Sequence, residues 1–164
     1  DPLTTMGAQI QSTDRGTAPL HIQGAAHLHG IVFDMPVASA QMKSCLLLAG
    51  LYASGGTTLI EHAITRDHTE RMLIAMGYPL TIERQAATQS LIHIVGGGVL
   101  TGCDIKIPGD ISSAAFFMVA AAVGNDAEIT IQQVGVNPTR DGVIQILRLM
   151  GAHIDIINQR IYGD

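Results

Sequence analysis

A chain of 164 residues can bury one modest core or two small halves. It is 47% hydrophobic and 14% charged, with a formal charge of −5, and it has no basic face of the kind that phosphate-backbone binding requires. Nucleic acid is thereby excluded as the main partner, while local amides and one or two cations can still hold a small anion.

Residues 1–7 read as the finish of a helix, followed by strands near 8–11 and 20–23. The opening DPLTTMGAQI has neither a basic start nor an apolar run of signal-peptide type and no initiator methionine, which reads as a processed chain or a piece of a longer one. A strand follows at 31–35, then a helix over 40–52, where the apolar run exceeds strand length. After the Ser54-Gly55-Gly56 turn, TTLIEH is a strand by its β-branched residues. A second helix over 67–76 is stopped by Gly77 in the position that favours a left-handed cap. Strands at 78–84 and 91–95 are joined by the polar turn QAATQ. The order is β-α-β-α-β-β.

The same order returns: strand 104–107, helix 113–123, strand 128–133, helix 141–150, strand 152–157, and the start of a last strand at 159–162. The wording returns with it, since TRDHTERMLIAMG begins at Thr65 and TRDGVIQILRLMG at Thr139. A third MGA stands at residues 6–8, so the chain holds two units and the tail of another. Repeats of this length are stacked supersecondary units rather than independent domains. The longest apolar runs, 45–49 and 114–123, are too short to span a bilayer, so no membrane partner is expected. Gly96-Gly97-Gly98 reads either as a hinge or as a strand-to-strand turn. Cys45 and Cys103 lie in apolar segments without metal-ligand spacing and read as small core residues.

In PVASAQMKS and PGDISSAAF a proline stands between a strand and the N-terminus of a long apolar helix. Free amides and the dipole there favour an anion, so Ser39, Ala40 and Gln41 are candidates for holding a phosphate or a polyol. The alternative is that Ser39 only caps the helix, and the same alternative weighs more on Asp110, Ser112 and Ser113. Arg66 begins the second helix, where a cation is unfavourable unless an anion is near. Glu70 or Asp67 would satisfy it as a surface pair. Arg140, its repeat mate, carries the same ambiguity, and the repetition implies that at least one of the two is structural. The histidines, including the HLH at 27–29, show no metal spacing on a helix face. There is no Walker loop, no nucleophile elbow and no G-x-G-x-x-G between a strand and a helix.

MPVASAQMKSCLLLAGLYASGGTTLIEHAITRDHTERML, IPGDISSAAFFMVAAAVG and GVNPTRDGVIQILRLMGAHI closely resemble the 5-enolpyruvylshikimate-3-phosphate synthase family, in the bacterial form called class II, over nearly the whole chain. The resemblance implies an α/β fold, an inside-out α/β barrel of six β-α-β-α-β-β units shared by two globular domains. Residues 1–108 would be part of the first domain and 109–164 the start of the second, with the crossing near PGD and the active site in the cleft between. It implies transfer of the enolpyruvyl group of phosphoenolpyruvate to the 5-hydroxyl of shikimate 3-phosphate, with release of phosphate and with no metal or organic cofactor. The partners would be those two substrates and the remainder of the chain, and the full-length protein a cytoplasmic monomer. Carried over, Ser39, the Ala40 amide, Gln41 and Arg66 match positions that bind shikimate 3-phosphate. The resemblance implies no catalytic residue within this chain, because the family's phosphoenolpyruvate-gripping and proton-transferring groups belong to other segments. His68 departs from a tyrosine often found there. A UDP-N-acetylglucosamine enolpyruvyl transferase, which shares the fold but not the SAQ and TRDHTE wording, and a non-catalytic structural module are the competing readings.

Overall fold

The computed structural model describes residues 2–24 and 27–161. They fall into two compact units, Asp1–Cys103 and Asp104–Asp164.

In the first unit a short helix α1 (Pro2–Thr5) precedes an antiparallel pair, β1 (Gln9–Gln11) and β2 (His21–Gln23). A four-stranded sheet follows, in the order β4 (Val32–Asp34), β6 (Gly56–Glu61), β8 (Ser90–Val95), β7 (Leu80–Arg84). β4 runs parallel to β6, and β6–β8 and β8–β7 are antiparallel. Helix α2 (Ala40–Gly50) is the crossover from β4 to β6, and α3 (His68–Ala75) follows β6. Two-residue strands β3 (Leu28–His29) and β5 (Ala53–Ser54) pair in parallel, a ladder too short for sequence periodicity to show. α2 therefore ends at Gly50, two residues earlier than the apolar run suggests, because Ala53 and Ser54 are taken by β3.

Period-two alternation decides which face of the sheet is buried. Thr57, Leu59 and Glu61 of β6 are buried, and so are their cross-strand partners Ile94, Ile92 and Ser90 of β8. Onto this face α2 lays Lys43, Leu46, Leu47 and Gly50, a stripe at i, i+3, i+4, i+7. α3 adds Glu70 and Leu73. Met6, Met35, Leu46, Leu47, Leu59, Leu73, Tyr78, Ile92 and Ile94 make one apolar cluster, and the face turns polar only at its Glu61–Ser90 end. Leu59→Ala, at a fully buried site in the central strand, is expected to destabilise by about 3 kcal/mol through lost transfer energy and a residual cavity, read as a lower urea midpoint of the full-length protein.

The repeated Met-Gly has one physical meaning in three places. Gly7, Gly77 and Gly151 all have positive φ. Each amide bonds the carbonyl three residues back (Thr4, Ile74, Arg148), and the next amide bonds the carbonyl five back from itself (Leu3, Leu73, Leu147). This left-handed termination closes α1, α3 and the helix over Gly142–Leu149, and it is what the sequence repeats.

The glycine triplet is no hinge. The Gly96 amide donates to the Gly55 carbonyl, that of Gly97 to Leu51 and that of Gly98 to the Tyr78 hydroxyl, which clamps the end of β8 to the end of α2. The cysteines are also corrected. Cys45 and Cys103 are both exposed, Cys45 because it falls between Lys43 and Leu46 on the outward side of the α2 stripe.

The second unit contains α4 (Ile111–Val123) and α5 (Gly142–Leu149). Ile111 and Ala114 are buried on α4, and Ile144 and Leu147 on α5. The strands expected at 104–107, 128–133 and 152–157 form no ladder among the described residues; one bridge, Gly109 with Val134, is present. A strand exists only when a neighbouring strand takes its amides and carbonyls in succession, and among the described residues none does so for these segments. Ile105, Ile107, Ile129 and Ile157 are correspondingly exposed.

Candidate functional site

Ser39 sits in extended backbone immediately before α2, and its Oγ accepts the Met42 amide at 3.2 Å. The serine is thus a helix cap, as the structural reading held, and its hydroxyl proton remains free to donate. The amides of Ala40 and Gln41 belong to the first turn and have no acceptor within the helix. Gln41 is exposed and Ser39 and Ala40 half-buried, so three neutral donors and one amide side chain stand at the positive end of α2.

α3 is joined to this end by two cross-links, from one turn into α2 to the first turn of α3. Ser44 Oγ and Thr69 Oγ1 are 2.7 Å apart, and Lys43 Nζ lies 2.7 Å from Glu70 Oε1. Ser39 precedes Lys43 by one turn, and Arg66 stands four residues before Glu70, just ahead of the α3 cap Asp67.

The two carboxylates that could have neutralised Arg66 are engaged elsewhere. Asp67 Oδ2 accepts from Arg71 Nε at 2.8 Å, and Glu70 is held by Lys43. Among the described residues the half-buried Arg66 guanidinium has no ion pair and no side-chain hydrogen bond. A cation left unpaired at a helix N-terminus is electrostatically unfavourable until an anion arrives.

The second unit provides an internal comparison. There the helix cap is Asp110, whose Oδ1 accepts the Ser112 amide at 3.0 Å, and Arg140 donates to the same oxygen at 3.0 Å and to the Ser112 hydroxyl. Arg140 is therefore structural, with its counter-charge built in, whereas the cap residue of the first unit, Ser39, is neutral and leaves Arg66 without one. Ser113 caps nothing.

His68 opens α3 and is exposed. His62 Nε2 lies 2.6 Å from Asp34 Oδ1 on the surface. Among the described residues no group of three or more His, Cys, Asp or Glu is placed to hold a metal ion, and no helix is long and apolar enough to cross a membrane. A shallow cleft of about 470 Å³, lined by Leu51, Tyr52, Ser54, Tyr78 and Gly98 among others, lies at the C-terminal end of α2. That is about 16 Å of helix away from Ser39.

The β-α-β-α-β-β unit that carries this uncompensated arginine and neutral serine cap is an α/β unit of the enolpyruvyl transferase fold. The enolpyruvyl transferase NikO from Streptomyces tendae shares that fold at a TM-score of 0.60 and 16% identity, over 94% of this chain and 38% of that one. The narrower assignment comes from sequence: the chain belongs to the EPSP synthase (3-phosphoshikimate 1-carboxyvinyltransferase) family, whose model matches residues 1–161. It is 56% identical over 163 residues to the 3-phosphoshikimate 1-carboxyvinyltransferase of Nitrosococcus oceani and 55% identical over 162 to that of Hydrogenovibrio crunogenus. Each match covers 99% of this chain and 36% of the relative. The solved EPSP synthase from Acinetobacter baumannii superposes at a TM-score of 0.82 with 53% identity, again over 99% of this chain and 36% of that one. The chain thus spans about a third of the length of its curated relatives.

Proposed function

We propose that this chain supplies one wall of the shikimate 3-phosphate site of a synthase that transfers the enolpyruvyl group of phosphoenolpyruvate to the 5-hydroxyl of that cyclohexene carboxylic acid. The reaction would run by addition followed by elimination of inorganic phosphate. In this reading the Ser39 hydroxyl, the Ala40 amide and Arg66 hold the 3-phosphate, and Gln41 reaches the ring. The observation that carries it is Arg66, whose neighbouring carboxylates are both committed elsewhere. Substrate phosphate is the missing counter-charge.

Residues 1–108 are read as part of one globular domain and 109–164 as the start of another, a reading supported by the separation into compact units at Cys103 and Asp104. The remaining length of the relatives would supply the neighbours that the second unit's strand segments need. The full-length protein is read, from its family, as a cytoplasmic monomer that uses no metal or organic cofactor.

Arg66→Met in the full-length protein tests the site. A lost charge-assisted hydrogen bond is worth about 1.5–3 kcal/mol, so KM for shikimate 3-phosphate is expected to rise about 10- to 100-fold, with KM for phosphoenolpyruvate within twofold of the parent. Unchanged KM for shikimate 3-phosphate in the folded variant would remove Arg66 from the site.

A further inference from the structure

Three charged side chains meet in the interior of the first unit, and the reaction described above uses none of them. Lys43, Glu61 and Glu70 are 1%, 2% and 2% exposed. Lys43 Nζ lies 2.7 Å from Glu70 Oε1, and 3.2 and 3.4 Å from the two oxygens of Glu61. Glu61 then gathers what lies around it. Its Oε1 accepts both the Thr65 amide at 2.8 Å and the Thr65 hydroxyl at 2.5 Å, and its Oε2 accepts the Ser90 hydroxyl at 3.2 Å. One oxygen of Glu70, Oε2, is buried without a partner among the described residues.

As a source of stability this cluster is a poor choice. Desolvating an ammonium and two carboxylates offsets most of their attraction, and apolar residues of the same volume commonly do as well. What a compact ammonium with three donors does well is fix geometry. The geometry fixed here is specific. Lys43 is one turn after Ser39 on α2, Glu61 ends β6 and holds Thr65 by two bonds, and Glu70 is in the first turn of α3. Arg66 lies directly between the tethered Thr65 and α3. The second unit carries a comparable tether, with Thr139 amide and hydroxyl both donating to Asn137 Oδ1 at 2.9 and 3.0 Å. There the residue after the tether, Arg140, is neutralised internally. Only in the first unit is the acceptor of the tether a carboxylate bonded to a buried lysine on the preceding helix.

We propose that Lys43, through Glu61 and Glu70, is a positioning residue for the phosphate subsite: it sets where the Ser39 segment and Arg66 stand relative to each other. The inference rests on the assignment of shikimate 3-phosphate to Ser39 and Arg66. Positioning of this kind acts on binding of shikimate 3-phosphate and leaves the constant for phosphoenolpyruvate untouched. A merely structural ion cluster would lower thermal stability and the active fraction, and leave both constants alone.

The test uses the full-length protein with Lys43→Met, Thr65→Val and, as reference, Arg66→Met, measuring KM for each substrate and Tm for each variant. Lys43→Met is expected to raise KM for shikimate 3-phosphate at least tenfold, and Thr65→Val at least threefold, with KM for phosphoenolpyruvate within twofold of the parent. Should Lys43→Met yield no folded protein, Thr65→Val decides alone, because it removes one bond of the tether and leaves the buried charges paired. Folded variants that keep KM for shikimate 3-phosphate within twofold, whatever their Tm, would overturn the positioning role while an Arg66→Met effect leaves the site assignment standing. If Arg66→Met itself changes nothing, the assignment falls and this inference with it.

Discussion

Residues 1–164 purified alone are expected to release no measurable phosphate from a mixture of shikimate 3-phosphate and phosphoenolpyruvate, while the full-length protein turns over in the same assay. The groups gathered at the start of α2 and α3 are a hydroxyl, two amides, a carboxamide and a guanidinium. These bind charge and do not exchange protons at neutral pH. Of the titratable groups near them, Lys43, Glu61 and Glu70 are buried and bonded to one another, and Asp67 accepts from Arg71. General acid-base catalysis needs a group within hydrogen-bond reach of the proton it moves, and enzymatic acceleration is typically about 10⁶-fold or more, so its loss takes the rate below detection. A continuous phosphate-release assay decides the matter. Turnover by residues 1–164 above about a thousandth of the full-length rate would mean that an acid or base has been overlooked here, with His68 the first to replace.

Gly96→Ala is expected to be the most damaging single methyl group that can be added to the first unit. A Cβ at Gly96 would stand 1.9 Å from the Ala53 carbonyl oxygen and 2.7 Å from that of Gly50. Both are backbone atoms held in place, since Gly50 ends α2 and Ala53 is paired in the β3–β5 ladder. No rotamer relieves such a contact, so relief would require β8 to withdraw from α2 and break the Gly96 and Gly97 amide bonds to Gly55 and Leu51. The effect should exceed the ~1–3 kcal/mol of ordinary overpacking. The expected result is loss of soluble full-length protein, or a Tm lower by about 10 °C or more in what remains. Gly97→Ala, with no atom within 4 Å of its Cβ but a φ of +83°, should be milder, of order 1 kcal/mol. Equal effects at the two positions would show that strain at φ, rather than close approach, governs this turn.

The helices of both units and all four strands of the main sheet are legible as period and punctuation, because long apolar stripes and glycine stops are local signals. What is not legible depends on neighbours. β3 and β5 are two residues each and exist only because Leu28 and His29 lie against Ala53 and Ser54. The strand segments of the second unit have the right residues but form no ladder among the described residues. At the candidate site, the capping role of Ser39 follows from its position, but the fate of Arg66 does not. Asp67 and Glu70 both lie within a turn of it, and only the fold shows that Arg71 takes one and Lys43 the other. The buried cluster did leave a trace that sequence reasoning passed over. Lys43 occupies the first position of the stripe shared with Leu46 and Leu47, Glu61 continues the inward alternation of Thr57 and Leu59, and Glu70 shares a face with Leu73. Three charges at inward positions of three elements packed together, α2, β6 and α3, are improbable unless they meet.

The order of strands in the main sheet also bears on how the chain is made. β7 and β8 form a hairpin across a short polar turn, with Arg84 opposite Ser90 and Leu80 opposite Ile94, a pairing of the kind that zips within microseconds. β6 has no such local partner. Its parallel neighbour β4 is reached only through α2, and its antiparallel neighbour β8 is translated after α3 and β7. For the time in which a ribosome travels from residue 61 to residue 95, this central strand of the sheet has one edge unsatisfied. The early closing of β7 on β8 delivers both strands to that edge as a single piece.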